Sequence, residues 1–559
     1  MYPSQHPDRI LLGNVLTLDK LSTQAQAIAI ADGRVLATGS REDMLALRQS
    51  HTIVEDFGTA TIFPGFNDAH AHMISVGLRS VRASLDGVRS IADIQARIRD
   101  IAARTPKGEW IVTMPLGTPP NYFEGPSILT EGRMPNRHEL DAVAPDHPVY
   151  ISLPHGYWGQ MPLQAAMNSI ALQHNAISRD SKPSVGGIEI EKDDAGEPTG
   201  VFRERNHASM LEADLLPAVP RFDARDRIGA LRRAVGLFHA VGTTSIYEGH
   251  GSAPDVIAAF RALRQSGELT IRSGLVVGPT WTSEDEAAAV MRDALAYARG
   301  NGLGDEMLRI SGVFLPCLGD TRANSLFEKN PQDLGWSDYN RAVNDLATFE
   351  RLAMLAARND LRVHTIVSER LADVVPVLER IARQYPLAGR RWLVEHISKV
   401  TLPALQALKR LGVDATLLPL SYIWKSGQHF VNQAEMPAEL VSPARALLDL
   451  GVPVAAATDG APHDPLITLW SMVTRTVRST GAVIGPGGRI DNETALRLLT
   501  VAGAWLTFDE HRKGPLIPGF LADLAVFEKS PLETQGDEIL DNACMATMVG
   551  GDWVYRRPA

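Results

Sequence analysis

Histidine, aspartate and glutamate stand at the ends of several apolar runs in this chain, where a fold could bring them together. The sharpest case is Pro64-Gly65-Phe66-Asn67-Asp68-Ala69-His70-Ala71-His72. Residues two apart on a strand point to one face, so the His70 and His72 imidazoles would converge on one point. Paired imidazoles suit a divalent transition metal. Three later runs end in residues of the same kind: Val363-His364, Val394-Glu395-His396 and Ala455-Ala456-Ala457-Thr458-Asp459-Gly460. Singly, each has an ordinary structural reading: His364 a satisfied core histidine, His396 a helix cap, Asp459 a turn former. Jointly, two histidines from one strand, one from each of two later strands and an aspartate from a still later one make a metal-plus-base arrangement.

A parallel barrel would bring such strand ends together, because its C-terminal strand ends gather on one face. Short β-branched strands alternate with longer amphipathic helices along the middle of the chain, as in parallel strands joined by crossover helices. Strand candidates are Thr243–Ile246, Arg272–Val277, Leu308–Leu315, Leu361–Val367, Trp392–His396 and Val454–Thr458. Helical stretches are Ile228–Val241, Ala347–Arg358, Leu371–Ile381 and Pro403–Leu411. Proline opening the last suits a first helical position, where its missing N–H is no loss. Over residues 63–514 this pattern suits a (β/α)8 TIM-like barrel better than an open doubly wound sheet. Neither a Gly-rich dinucleotide fingerprint nor a P-loop occurs.

Both chain ends read as β-rich. Ala27–Ile30 and Arg34–Ala37 flank Ala31-Asp32-Gly33, a hairpin with an Asp-Gly turn, and Leu524–Phe527, Ala546–Val549 and Trp553–Tyr555 lie near the end. Neither end has enough strands to fold alone, so residues 1–62 and 515–559 are expected to share a small composite β-sandwich domain. The stretch from about 85 to 226, with Pro115, Pro119, Pro120, Pro126 and Pro135 close together, breaks the alternation. It reads as a long insertion over the barrel mouth.

Composition narrows the function classes. A length of 559 residues fits two to four domains, or one large barrel with additions. An apolar fraction of 45% with 21% charged residues is ordinary for a globular chain and excludes disordered, collagenous and coiled-coil architectures. Lys+Arg 55 against Asp+Glu 65 leaves a net charge of −10, without basic clusters longer than pairs such as Arg232-Arg233. Nucleic acid is therefore not an expected partner. Two cysteines build no disulfide framework. Met1–Arg9 lacks an apolar signal-peptide core, and no apolar run approaches the roughly 20 residues of a membrane helix. A soluble, cytoplasmic protein without membrane association is expected.

With these residues in view, the chain resembles the amidohydrolase superfamily, in particular its large branch (amidohydrolase family 3) related to YtcJ and N-substituted formamide deformylase. Pro64 to His72 resembles the first-strand metal motif. His364 and Glu395-His396 resemble the fifth- and sixth-strand ligands, and Gly451-Val452-Pro453 through Thr458-Asp459-Gly460 resembles the eighth-strand aspartate. Pro148-Val149-Tyr150, Asn168 to Leu172 and Glu197 to Glu204 resemble the branch's insertion, and Gly514 through Leu524 its return into the β-sandwich. The resemblance implies that His70, His72, His364, His396 and Asp459 hold one or two divalent metal ions, usually zinc. It implies that Asp459 takes a proton from metal-activated water and passes it to the departing nitrogen, as base and then acid.

Two departures from the family pattern stand out. Many relatives carry a fourth-strand lysine that bridges two metals once carboxylated; the matching stretch here is Val313-Phe314-Leu315-Pro316-Cys317-Leu318-Gly319-Asp320. Phe314 cannot bridge, so either the site holds one metal or another group substitutes, with Glu204 the first candidate and the Cys317 thiolate the second. The second departure follows His364, where relatives continue with Gly-Asp and this chain has Thr365-Ile366-Val367-Ser368-Glu369. Softer candidates for contact with substrate are Glu248 and His250 after Ser245-Ile246-Tyr247, His155, Tyr157 and Trp158 in the insertion, and His463 just past Asp459. The expected activity is metal-dependent hydrolysis of a non-peptide C–N bond in a small-molecule amide, N-formyl or carbamate-like substrate. A mononuclear deaminase of a heterocycle or amidine is the alternative within enzymes, and a catalytically inactive barrel serving as a scaffold the alternative outside them. Superfamily habit implies a homodimer.

Overall fold

The computed structural model describes residues 6–79, 81–118, 122–154, 161–206, 209–278, 283–317, 343–431, 437–460 and 462–558. The described residues form two compact units, one within Met1–Met73, Leu231–Gly319 and Val343–Ala559, the other within Ile74–Ala230.

The first unit contains the barrel. Its eight parallel strands, in chain order, are β1 (Phe66–Asp68), β2 (Thr243–Ser252), β3 (Arg272–Val277), β4 (Leu308–Phe314), β5 (Val363–Ile366), β6 (Leu393–Glu395), β7 (Asp414–Leu417) and β8 (Val454–Ala456). Each pairs with the next in sequence order. The register places Ile246 beside Asp68, Phe314 beside His364 and Ile366 beside Glu395. The C-terminal ends of β1 and β8 are joined by side-chain and backbone hydrogen bonds. The Asp68 carboxylate accepts from both the backbone N–H and the hydroxyl of Thr458, and Asp459 N–H donates to the His70 carbonyl (3.1 Å).

Helices Pro254–Ser266, Glu284–Ala294, Leu346–Arg358, Leu371–Gln384, Leu402–Leu411 and Ala444–Leu450 follow successive strands from β2 to β7. Their ends are locally encoded. Ser283 and Asp345 accept from the third backbone N–H of their helices, and Gly412 and Gly451 end two others at φ +67°. A core of Val, Leu, Ile and Phe fills the space around the strands, with Phe349, Leu352, Leu378 and Leu405 fully buried. The helix expected from Pro403 begins at Leu402, and β7 is a strand that hydrophobic patterning did not reveal.

The two chain ends share one seven-stranded sheet in the same unit. Ile53–Pro64 lies at its centre, parallel to Arg9–Leu16 on one side and antiparallel to Leu524–Phe527 on the other. Alternate residues serve its two faces: Leu11, Ile28 and Val526 pack in one cluster, and Ile10, Leu12 and Ala29 in another beside Met44. The expected hairpin turn is present, with Asp32 at φ +50° and Gly33 at φ +71°.

The second unit brackets the expected insertion. Its five-stranded sheet runs in the order Ile111–Thr113, Val149–Ile151, Leu163–Met167, Pro198–Glu204, Ile188–Lys192. Among the described residues, no helix is long and apolar enough to cross a membrane.

Candidate metal centre

The C-terminal ends of the barrel strands carry a buried cluster of imidazoles and carboxylates. His70 and His72 lie just past β1 rather than on it, and their spacing still aims both rings into one site. His396 follows β6 and Asp459 follows β8, both in the left-handed region (φ +56° and +62°) that side chains seldom adopt without a local reason. Here the turn at each strand end directs the side chain inward.

The donor atoms are close. His396 Nε2 lies 3.3 Å from His70 Nε2, and the Asp459 carboxylate lies 3.3 Å from His72 Nε2 and 3.8 Å from His396 Nε2. His250, from β2, puts Nδ1 3.1 Å from His72 Nε2. Two donors on one tetrahedral ion with bonds of about 2.0–2.1 Å lie roughly 3.3 Å apart, so these separations fit a shared cation. The two donor groups that could hold an ion among the described residues are His70, His250 and His396, and His70, His72 and Asp459. Imidazole nitrogen with carboxylate oxygen is the donor chemistry of zinc and its first-row neighbours.

A second layer orients these groups. The Glu395 carboxylate accepts from His364 Nδ1 on one oxygen (3.1 Å), and its other oxygen lies 3.1 Å from His70 Nδ1. This turns His70 Nε2 into the cluster. The Tyr422 hydroxyl does the same for His396, lying 2.9 Å from Nδ1, and Ser421 donates to the Asp459 carboxylate at 2.8 Å. Both belong to a π-helical turn, Leu420–Lys425, beyond β7. Such turns are rare and concentrate at functional sites. Glu248 accepts from Met73 N–H (2.9 Å), fixing the backbone directly after His72.

Electrostatics favour ligation. Burial holds His396 and His364 at about 4, and burial together with the neighbouring imidazoles holds His250 well below the usual histidine value. Neutral imidazole is the form that binds a metal. Burial alone would raise the Asp459 carboxyl, but His396, the hydrogen bond with His72 and the Lys425 ammonium hold it well below the usual carboxylate range.

Of the sequence-predicted ligands, the structure brings together His70, His72, His396 and Asp459, and adds His250, expected only to line the pocket. His364 is coupled to this cluster through Glu395. Cys317 is a buried thiol 3.1 Å from the Thr365 hydroxyl, and burial pushes it up to about 11, against the thiolate a bridge requires. Glu204 is buried and accepts from Asn206, Ser209 and the backbone N–H groups of Met210 and Leu211 (2.6–3.2 Å), at the start of helix Leu211–Leu215. His463 packs its ring against Phe238, 5.2 Å between centroids. His155, Tyr157 and Trp158 lie outside the described residues. Sequence reasoning missed the orienting roles of Glu395, Ser421 and Tyr422; only Glu395, next to His396, carried a signal.

Known proteins place this geometry in context. N-substituted formamide deformylase of Arthrobacter pascens is 25% identical, aligned over 98% of both chains. The Bacillus subtilis (strain 168) protein YtcJ is 24% identical, likewise over 98% of both. The crystal structure of a metal-dependent hydrolase from Pyrococcus horikoshii OT3 superposes with a TM-score of 0.67, at 21% identity, covering 94% of this chain and 98% of that one. The sequence profile of the amidohydrolase family matches residues 54–555. The chain belongs to the amidohydrolase family.

Proposed function

We propose that this amidohydrolase uses zinc to hydrolyse a non-peptide C–N bond in a small amide, N-formyl or carbamate-like substrate. The observation that carries the reading is the buried cluster of His70, His72, His250, His396 and Asp459 at the C-terminal strand ends, with donor separations that suit one cation. His70, His72, His396 and Asp459 would hold the ion, with His250 or His364 as a further donor. A divalent ion bound there supplies Lewis acidity and lowers the pKa of coordinated water toward about 7.

The chain's own groups do the rest. Asp459, ionised at neutral pH, takes the proton that water gives up in attacking the scissile carbonyl and returns it to the departing nitrogen. Ser421 fixes one Asp459 oxygen, so the other stays directed at His72 and His396. Tyr422 and Glu395 hold the His396 and His70 rings in orientation. Cytoplasmic location and homodimeric assembly complete the proposal; equilibrium sedimentation checks the assembly.

A deaminase of a heterocycle or amidine is the second reading, favoured by the same single donor cluster with Phe314 at the fourth-strand position. The scaffold alternative is not carried further, since a binding surface has no need of four converging imidazoles beside an ionised aspartate. The test is a panel of N-formylamines, N-acylamines, carbamates and heterocyclic amidines, scored for amine plus acid and for ammonia. Amine plus acid, abolished by a chelator, is the expected result. Ammonia from the amidines alone would transfer the assignment to the deaminase.

A further inference from the structure

We propose that His250, on the second barrel strand, is a ligand of the metal ion, and that His364 is a positioning residue which does not touch it. The inference rests on the metal reading above and specifies which residues complete the donor set.

The argument for His364 follows from hydrogen-bond direction. Arg362 can only donate. Its guanidinium gives one hydrogen bond to the Tyr247 hydroxyl oxygen (3.1 Å) and another to the Leu506 carbonyl (2.6 Å). The Tyr247 proton is therefore directed elsewhere, and His364 Nε2 lies 3.0 Å from that hydroxyl. Nε2 accepts it, which leaves the ring proton on Nδ1, where it is donated to Glu395. Both nitrogens of His364 are then committed, and the side chains of His364 and Glu395 are 0% exposed. The other Glu395 oxygen packs 3.1 Å from His70 Nδ1, so the series Arg362, Tyr247, His364, Glu395 ends against the back of the His70 ring, whose Nε2 faces the cluster.

His250 stands where the missing donor is needed. Its Nδ1 is 3.1 Å from His72 Nε2, and its ring stacks on His396 with centroids 4.9 Å apart at 19°. The pairing of β2 with β3 shifts register between Glu248 and Ser252, an irregularity of the kind that re-aims a side chain. Glycines flank it for steric reasons. A Cβ on Gly249 would lie 2.6 Å from both Glu395 Oε1 and His70 Nδ1, and one on Gly251 2.6 Å from Phe314 Cβ. The Phe314 ring meets the His250 ring edge-on at 5.5 Å. Phe314 thus offers carbon where a fourth-strand ligand would project, and it buttresses the second-strand imidazole instead.

The experiment loads the full chain with Co(II) and compares wild type, His250→Cys and His364→Cys. A thiolate that ligates cobalt adds a near-ultraviolet charge-transfer band, a gain of signal that a merely structural residue does not give. The band is expected in His250→Cys and in neither of the others. A band in His364→Cys, or none in His250→Cys while wild type binds cobalt, overturns the inference and leaves the metal reading standing. Wild type that binds no cobalt overturns both. Should His250→Cys fold poorly, His250→Asp retains a donor and is expected to bind cobalt with a changed visible spectrum, whereas His364→Asn keeps the wild-type spectrum. The reverse pattern overturns the assignment.

Discussion

Glu395 gives each of its two oxygens to a different histidine, so one carboxylate sets the orientation of both rings. Glu395→Gln places an amide N–H against one of those ring N–H groups, and metal affinity should fall about 10–100-fold. Chelator competition measures it, and an unchanged affinity would contradict the coupling. Asp459→Asn removes the proton acceptor. Turnover should fall by roughly 10²–10⁴, followed in steady-state kinetics with metal content determined on the same sample. The convergence of His70, His72, His396 and Asp459 was legible because His-x-His and residues ending apolar runs have few other reasons to recur. His250 was visible only as a pocket residue, since nothing in Tyr247-Glu248-Gly249-His250-Gly251 reveals the irregular pairing that turns it inward. The commitment of His364 was not legible at all, because it depends on where Arg362 points its protons.

Among the elements, β2 is buried along its whole length and flanked by β1 and β3. Gly249→Ala would drive a methyl into Glu395 and His70, neither of which can retreat from its buried hydrogen bonds. A stability loss of about 1–3 kcal/mol is expected in urea unfolding, accompanied by weaker metal binding. A variant as stable as wild type with full metal affinity would show that the strand can shift. The alternating pattern revealed six of the eight barrel strands, and the His-x-His run marked the first. The seventh, Asp414–Leu417, is short and opens on a buried aspartate, so its pattern reads as a turn. The π-helical turn after it contributes Ser421 and Tyr422 to the site, and its extra residue per turn leaves no mark in hydrophobic spacing.

Hydrogen bonds that the sequence did not locate tie the terminal sheet to the residues leading into β2. His239 shows how: its backbone carbonyl accepts from Thr547 in the terminal sheet, while its ring bonds the Thr243 carbonyl and the Thr270 hydroxyl, each at 2.9 Å. Burial lowers it to about 4, below its unfolded value near 6.5. Between those values the unfolded chain binds a proton that the folded chain refuses, so stability is lost as pH falls through this window. Wild type should lose about 2 kcal/mol more than His239→Gln between pH 7 and pH 5, in urea unfolding of the metal-free protein. Equal losses would show that His239 does not titrate on unfolding. At this scale the barrel and the pairing of the two ends could be read from the alternation of strands and helices and from two half-sheets that each lacked partners. The most direct test of the account is metal content measured beside hydrolysis, on protein purified without added metal and then stripped and reloaded. About one zinc per chain, with turnover lost on stripping and restored on reloading, is the result the cluster predicts. Full turnover by metal-free protein would contradict it.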